Sequence, residues 1–163
     1  MAEGGWELAL NEARTPGFLN TWVLIQFGHK DQPGKPARST DLATEYPANL
    51  RRYVTETRAD GAKPILVTPL TRRQFKDGKV QNTLIPWAEA VMRVGKEMKV
   101  PLIDLNALSS SAVQAMGSTA ANAFAQRPPS PEVAPAAATG TTIEAPKETN
   151  DRPPANNSKS ADP

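Results

Sequence analysis

Apolar residues in this chain fall into two patterns, short unbroken runs and longer stretches at helical spacing. The unbroken runs are 21–27, 64–68 and 100–105, rich in Val, Ile and Leu and without polar alternation. Such runs predict strands of a parallel sheet buried beneath helices on both faces. Between them, 42–59 places Tyr46, Leu50, Tyr53, Val54 and Thr57 on one helical face, and 84–98 does the same with Trp87, Ala90, Val91, Val94 and Met98. Thr40 or Asp41 is placed to cap the first helix, Pro47 marks either its first turn or a kink, and Gly61 is placed to stop it. Asn106 is placed to cap a third helix that runs to about Met116, before Gly117. Residues 6–10 predict a short helix broken by Pro16-Gly17, and Asp77-Gly78 predicts a turn. Strand, helix, strand, helix, strand, helix is the order of an α/β fold with a short parallel sheet and right-handed crossovers.

Composition changes this picture at one end. Residues 128–163 hold eight of the 16 prolines and no aromatic residue. That stretch has too little apolar surface to offset its ordering entropy, so it predicts a disordered tail after a domain at 1–127. The tail's three basic and five acidic residues make it −2, which, against a total of +2, leaves the domain at +4. This excess is scattered and lacks the clustered basic face of a nucleic-acid binder. No cysteine is present, so disulfides, thiolate catalysis and Cys-ligated zinc are excluded. The first residues, Met-Ala-Glu-Gly-Gly-Trp, show neither the basic nor the apolar region of a signal peptide. No apolar run approaches the roughly 20 residues of a membrane span. The compartment stays open.

In open α/β sheets, ligands bind beyond the carboxyl ends of the strands. Here those ends deliver Gly28, His29, Lys30 and Asp31 from the first strand, Thr68, Thr71, Arg72 and Arg73 from the second, and Asp104 and Asn106 from the third. Each has a structural alternative. His29, the one histidine, is a catalytic group or a hydrogen-bonded rim residue. Gly28 allows a tight turn, Asp31 caps a loop, and Arg72 and Arg73 either clamp carboxylates or are simply solvated. Asp104 and Asn106 suit a helix N-terminus. No glycine-rich phosphate loop follows a strand, so no nucleotide cofactor is expected. One histidine and scattered carboxylates give no metal-ligand spacing. None of Ser39, Ser109, Ser110, Ser111 and Ser118 lies in a nucleophile elbow.

The run from Val23 to Asp31, Val-Leu-Ile-Gln-Phe-Gly-His-Lys-Asp, resembles the third conserved block of the SGNH (GDSL-type) hydrolases, in the form Ile-Gln-Phe-Gly-His-Asn-Asp of the rhamnogalacturonan acetylesterase branch. Tyr46-Pro-Ala-Asn-Leu-Arg-Arg-Tyr53 is similar to that branch's first crossover helix. Gly61-Ala-Lys-Pro-Ile-Leu-Val-Thr-Pro-Leu-Thr-Arg-Arg-Gln-Phe75 is similar to its next strand and arginine-bearing loop. Val100-Pro-Leu-Ile-Asp-Leu-Asn-Ala-Leu108 is similar to the strand after that, and Glu3-Gly-Gly-Trp6 to the stretch upstream. The resemblance spans about residues 3–120. It implies a three-layer α/β/α fold with a flavodoxin-like parallel sheet, typically in a secreted or periplasmic protein, and hydrolysis of acetyl esters on an acetylated pectic polysaccharide. It also implies a Gly-Asp-Ser nucleophile, an Asp-x-x-His acid and base, and an oxyanion hole completed by the third-block Asn.

The chain departs from that pattern. No serine precedes Ser39 and no histidine follows His29, so neither Gly-Asp-Ser nor Asp-x-x-His is present. The family's Asn falls on Lys30, and only Gly28, His29 and Asp31 carry over unchanged. Lysine donates through a long flexible stem where asparagine is short and rigid. Losing one oxyanion donor costs on the order of 3 kcal/mol, which slows an esterase without abolishing it. Lacking nucleophile and base is far worse. The expectation is therefore a central, truncated piece of an esterase, catalytically incomplete. The alternatives are a non-enzymatic module whose Lys30, Arg72 and Arg73 hold an acidic glycan, or a fragment with no activity. In the family's strand order 2-1-3-4-5, strand 21–27 becomes an open apolar edge, which predicts marginal stability or self-association.

Overall fold

A computed structural model describes residues 5–34, 38–125, 130–131 and 133–142. Helix α1 (Gly5–Ala13) leads to strand β1 (Trp22–Gln26), helix α2 (Glu45–Ala59) and strand β2 (Lys63–Val67). Two-residue strands β3 (Phe75–Lys76) and β4 (Lys79–Val80) form a hairpin before helix α3 (Ile85–Met98). Strand β5 (Leu102–Ile103), helix α4 (Leu105–Ala121), a 3₁₀ turn (Asn122–Phe124) and helix α5 (Val133–Ala138) complete the order. The chain is thus α/β, as the pattern predicts, with β1, β2 and β5 side by side in that order and all parallel.

The order of the strands decides which face is covered. Each crossover steps one strand further in the same direction, and right-handed crossovers of that kind put their helices on the same side. Helices α2 and α3 pack together over one face, where Ile25 and Leu66 join Leu50, Val54, Val91 and Val94 in the main core. The opposite face carries Trp22, Leu24, Gln26, Lys63, Ile65, Val67 and Ile103 by register. Of these only Val67 is buried, while Trp22 and Leu24 are 51% and 62% exposed. The unbroken apolar runs therefore imply cover on both faces, and among the described residues one face has it.

Several boundaries differ from expectation for local reasons. Asp41 does not cap α2 directly. Its carboxylate accepts from the Ala43 and Thr44 amides and closes a turn just before the helix. Pro47 then sits in the first turn of α2, which settles the choice between first turn and kink. Helix α4 is capped by Asp104, which accepts from the Ala107 amide at 3.2 Å, and not by Asn106, whose side chain is buried. Gly117, at φ +74°, breaks α4 where the sequence places its stop. Asp77 and Gly78 both have positive φ, the geometry of a two-residue hairpin turn, and so build β3–β4 where the sequence shows only a turn.

The tail also departs from expectation. The stretch 133–142, inside the segment predicted to be disordered, contains α5 and packs on the hairpin and α4. Its threonines and its glycine supply backbone partners that a count of apolar residues does not register. The remainder of 128–163, apart from 130–131, lies outside the described residues. Among the described residues, no helix is long and apolar enough to cross a membrane.

Candidate active-site rim

Gly28 opens the turn that follows β1, and two constraints require glycine there. Its φ is +132°, and a Cβ would lie 3.0 Å from both Cβ and Cγ of Pro69. The close approach seats the first strand's turn directly on the turn after β2. The Gly28 amide donates to Asp31 Oδ2 at 2.9 Å, and Thr40 closes the loop from outside. Its amide donates to the Asp31 carbonyl at 3.0 Å and its hydroxyl to Asp31 Oδ1 at 3.2 Å. Asp31 therefore acts as the clasp of this turn. Tyr46 braces it from below by donating its hydroxyl to the Phe27 carbonyl at 3.0 Å. Burial raises the Tyr46 pKa well above the ordinary tyrosine value, so the hydroxyl keeps the proton it donates.

Arg72 joins the two turns. One guanidinium nitrogen donates to the His29 carbonyl and another to Thr83 Oγ1, each at 3.2 Å. Among the described residues no carboxylate pairs with Arg72. Two of its five N–H donors are thus committed to the protein and the rest remain available to a ligand. His29 is half-buried, and its pKa is lowered by burial first and then by the Arg72 charge. A bond to the Leu70 carbonyl and the Asp31 charge oppose this, with Lys30 adding a smaller lowering effect. The imidazole is accordingly neutral at pH 7. Lys30 is exposed and Arg73 partly so.

The third strand contributes a buried polar knot. Thr68 Oγ1 donates to Asp104 Oδ1 at 2.9 Å and accepts from the Asn106 amide at 2.8 Å. Asn106 donates through Nδ2 to the Pro69 carbonyl and accepts from Asn82 Nδ2, both at 2.8 Å. Ser109 Oγ accepts from the Thr71 amide and donates to the Asn106 carbonyl. Asn106 is thereby a fastener between three loops rather than a cap. Asn82 and the hydroxyl of Ser109 are members that sequence reasoning does not single out. The Asn82-Thr83 pair just before a helix is the one local signal for the former.

All three strand ends share one rim, where Gly28 lies against Pro69 and the His29 carbonyl meets Arg72. Among the described residues the rim does not bring a catalytic triad together: Ser109 spends its hydroxyl on the Asn106 carbonyl, and the His29 imidazole bonds to the Leu70 backbone. No cluster that could hold a metal occurs among the described residues. The cavity behind Asp31, lined by Phe27, Tyr46, Asn49, Leu50 and Tyr53, is about 30 Å³, room for roughly one water and not for a sugar.

No family model matches the chain. Among curated proteins it is 37% identical over 97 residues to the rhamnogalacturonan acetylesterase RhgT of Bacillus subtilis, which is 59% of this chain and 40% of that protein. It is 35% identical over 85 residues to the probable rhamnogalacturonan acetylesterase YesY of the same organism, which is 52% of this chain and 39% of that protein. The chain thus spans about two fifths of the length of the curated relatives it matches. Among solved structures, a catalytic mutant of Axe2, an acetylxylan esterase from Geobacillus stearothermophilus, aligns with a TM-score of 0.55 at 22% identity. That alignment covers 84% of this chain and 61% of Axe2. The protein YxiM of Bacillus subtilis aligns with a TM-score of 0.55 at 24% identity, over 71% of this chain and 31% of its own. The core of this chain has the SGNH hydrolase fold, and over more than half its length the sequence is similar to rhamnogalacturonan acetylesterases.

Proposed function

We propose that this chain supplies the third-block rim of an SGNH-type carbohydrate acetylesterase acting on an acetylated, acidic polysaccharide, and that its 163 residues do not turn over ester by themselves. The observation that carries this reading is the Gly28–Asp31 turn, clasped by Asp31 and seated on Pro69 at the carboxyl end of a parallel sheet. Turnover needs a nucleophile and a base within hydrogen-bond reach of each other. The sequence holds no Gly-Asp-Ser and no Asp-x-x-His, so both groups would have to come from outside these residues. Lys30, at the family's asparagine position, would then be a poorer oxyanion donor than the amide it replaces. The expected result with p-nitrophenyl acetate is no enzymatic turnover by the purified chain. Turnover that a single Ser→Ala change abolishes, Ser109→Ala first, would overturn the incomplete half of the reading.

Arg72 favours a second role for the same rim, the binding of an acidic glycan. A half-buried guanidinium with free donors suits a uronate carboxylate, with Lys30 and Arg73 adding positive charge nearby. Titration with oligogalacturonides is expected to give weak saturable binding that Arg72→Ala reduces. Equal binding by the wild type and by Arg72→Ala and Arg73→Ala would remove this role. The edge position of β1 supports self-association with a second copy, since Trp22–Gln26 is an uncharged strand that, among the described residues, pairs on one side only. Sedimentation velocity is expected to show a concentration-dependent dimer that Leu24→Lys suppresses; a strict monomer at all concentrations would dismiss it.

A further inference from the structure

Residues 139–142 run alongside β3 and its turn and are bonded to them at four points. The Thr142 amide donates to the Phe75 carbonyl at 3.0 Å, and the Phe75 amide donates back to Thr142 Oγ1 at 3.0 Å. The Gly78 amide donates to the Gly140 carbonyl at 2.9 Å, and the Asp77 amide to Thr141 Oγ1 at 3.2 Å. Gly140 is held at φ +83°, and a Cβ there would stand 2.9 Å from the Gly78 nitrogen. Upstream, Ser118 Oγ donates to the Ala137 carbonyl, and Ala137 is buried beside α4.

The hairpin beneath this segment is too short to stand alone, because a two-stranded ribbon with two residue pairs is marginal in water. Phe75 anchors it in a small apolar cluster with Val113 and Ala121, and hydrogen bonds grip it from two sides. On one side Gln114 of α4 accepts from the Val80 amide and donates to the Gly78 carbonyl. On the other side lies the 139–142 segment. The same hairpin directly follows Thr71–Gln74, the loop that carries Arg72 and Arg73. That loop is anchored at its start by the Thr71 amide on Ser109 and through Arg72 on His29 and Thr83, and its far end runs into the hairpin.

We propose that residues 133–142 are a detachable strap, a unit that opens separately from the main core and whose docking fixes the arginine loop at the rim. Among its described side chains only Ala137 is buried, and the strap is held by a handful of hydrogen bonds. Segments with so few buried contacts open locally at far less cost than the core they rest on. Opening would release the Phe75, Asp77 and Gly78 amides together, and with them the far anchor of the loop bearing Arg72.

Amide hydrogen exchange of the full chain, read residue by residue by NMR, tests it. In the wild type, Thr142, Phe75 and Gly78 are expected to be protected to a similar degree, and all less than Leu66, whose amide bonds within the main sheet. Gly140→Val should speed exchange at Phe75 and Gly78 by at least about tenfold and leave Leu66 unchanged. Ser118→Ala should speed the same amides by a smaller factor. Three results would overturn the strap: Thr142 exchanging as an unstructured amide in the wild type, Phe75 and Gly78 unmoved in Gly140→Val, or Leu66 losing protection together with them.

Discussion

The two faces of the β1–β2–β5 sheet are built from neighbouring residues of the same strands, yet they live in different surroundings. Ile25 and Leu66 are 2% and 0% exposed beneath α2 and α3, while Leu24, one residue from Ile25, stands largely in solvent. Apart from Gln26 and Lys63, the open face carries residue types of a core. Crossover handedness, not hydrophobicity, separates the two faces, because strands laid down in sequential order send both connecting helices to the same side. An apolar run thus reports that a strand is meant to be covered on both faces, without saying which described element covers it.

The largest expected break in this comparison comes from truncating equivalent side chains on the two faces. Leu66→Ala should lower stability by about 3 kcal/mol, since it opens a cavity in a sealed core. Leu24→Ala should change it by no more than about 0.5 kcal/mol, since its side chain is already wet. Urea denaturation of the two variants measures both. Equal losses would mean that the second face is covered in solution.

A smaller effect is expected where the covered face meets the rim. Gly28→Ala adds a Cβ that meets Pro69 at 3.0 Å and imposes a positive φ on a residue that resists it. The expected cost is about 2 kcal/mol, with the Arg72 contact to the His29 carbonyl disturbed. Gly17→Ala, at φ +99° with open space around its Cβ position, controls for backbone strain alone and should cost less. A cost for Gly28→Ala no larger than for Gly17→Ala would remove the argument that Pro69 sits on the turn.

The smallest effect is a pH dependence. His29 has a folded-state pKa below its unfolded value, so the unfolded chain takes up this proton first as the pH falls. Its contribution to stability is intact above the unfolded value of about 6.5 and is lost as the pH falls toward the lower folded value. Urea midpoints for the wild type and His29→Asn should run parallel above pH 7 and converge or cross below pH 6.5. Parallel curves throughout would show that the imidazole is as free as in the unfolded chain.

Much of this was legible in the sequence because it is written locally. The three apolar runs, the helical spacing from Tyr46 to Thr57, and the Gly28 turn each carry their own signal, and all three strand ends do meet. The rest depends on distant partners. Nothing near Asn106 says that its side chain will bind Pro69 and Asn82 instead of capping α4. Nothing in Thr139–Thr142 announces that β3 needs a neighbour. The bareness of Trp22 and Leu24 is a property of topology and cannot be read from their own run.

The central claim is that the Gly28–Asp31 turn rests on the turn after β2, so that the strand ends form one ledge. The most direct measurement is a nuclear Overhauser contact between the Gly28 Hα protons and the Pro69 side chain in the folded chain. The account predicts strong cross-peaks to the Pro69 β and γ protons, weakened in Gly28→Ala. Their absence, with Gly28 showing only contacts to its chain neighbours, would contradict the shared rim and the esterase reading built on it.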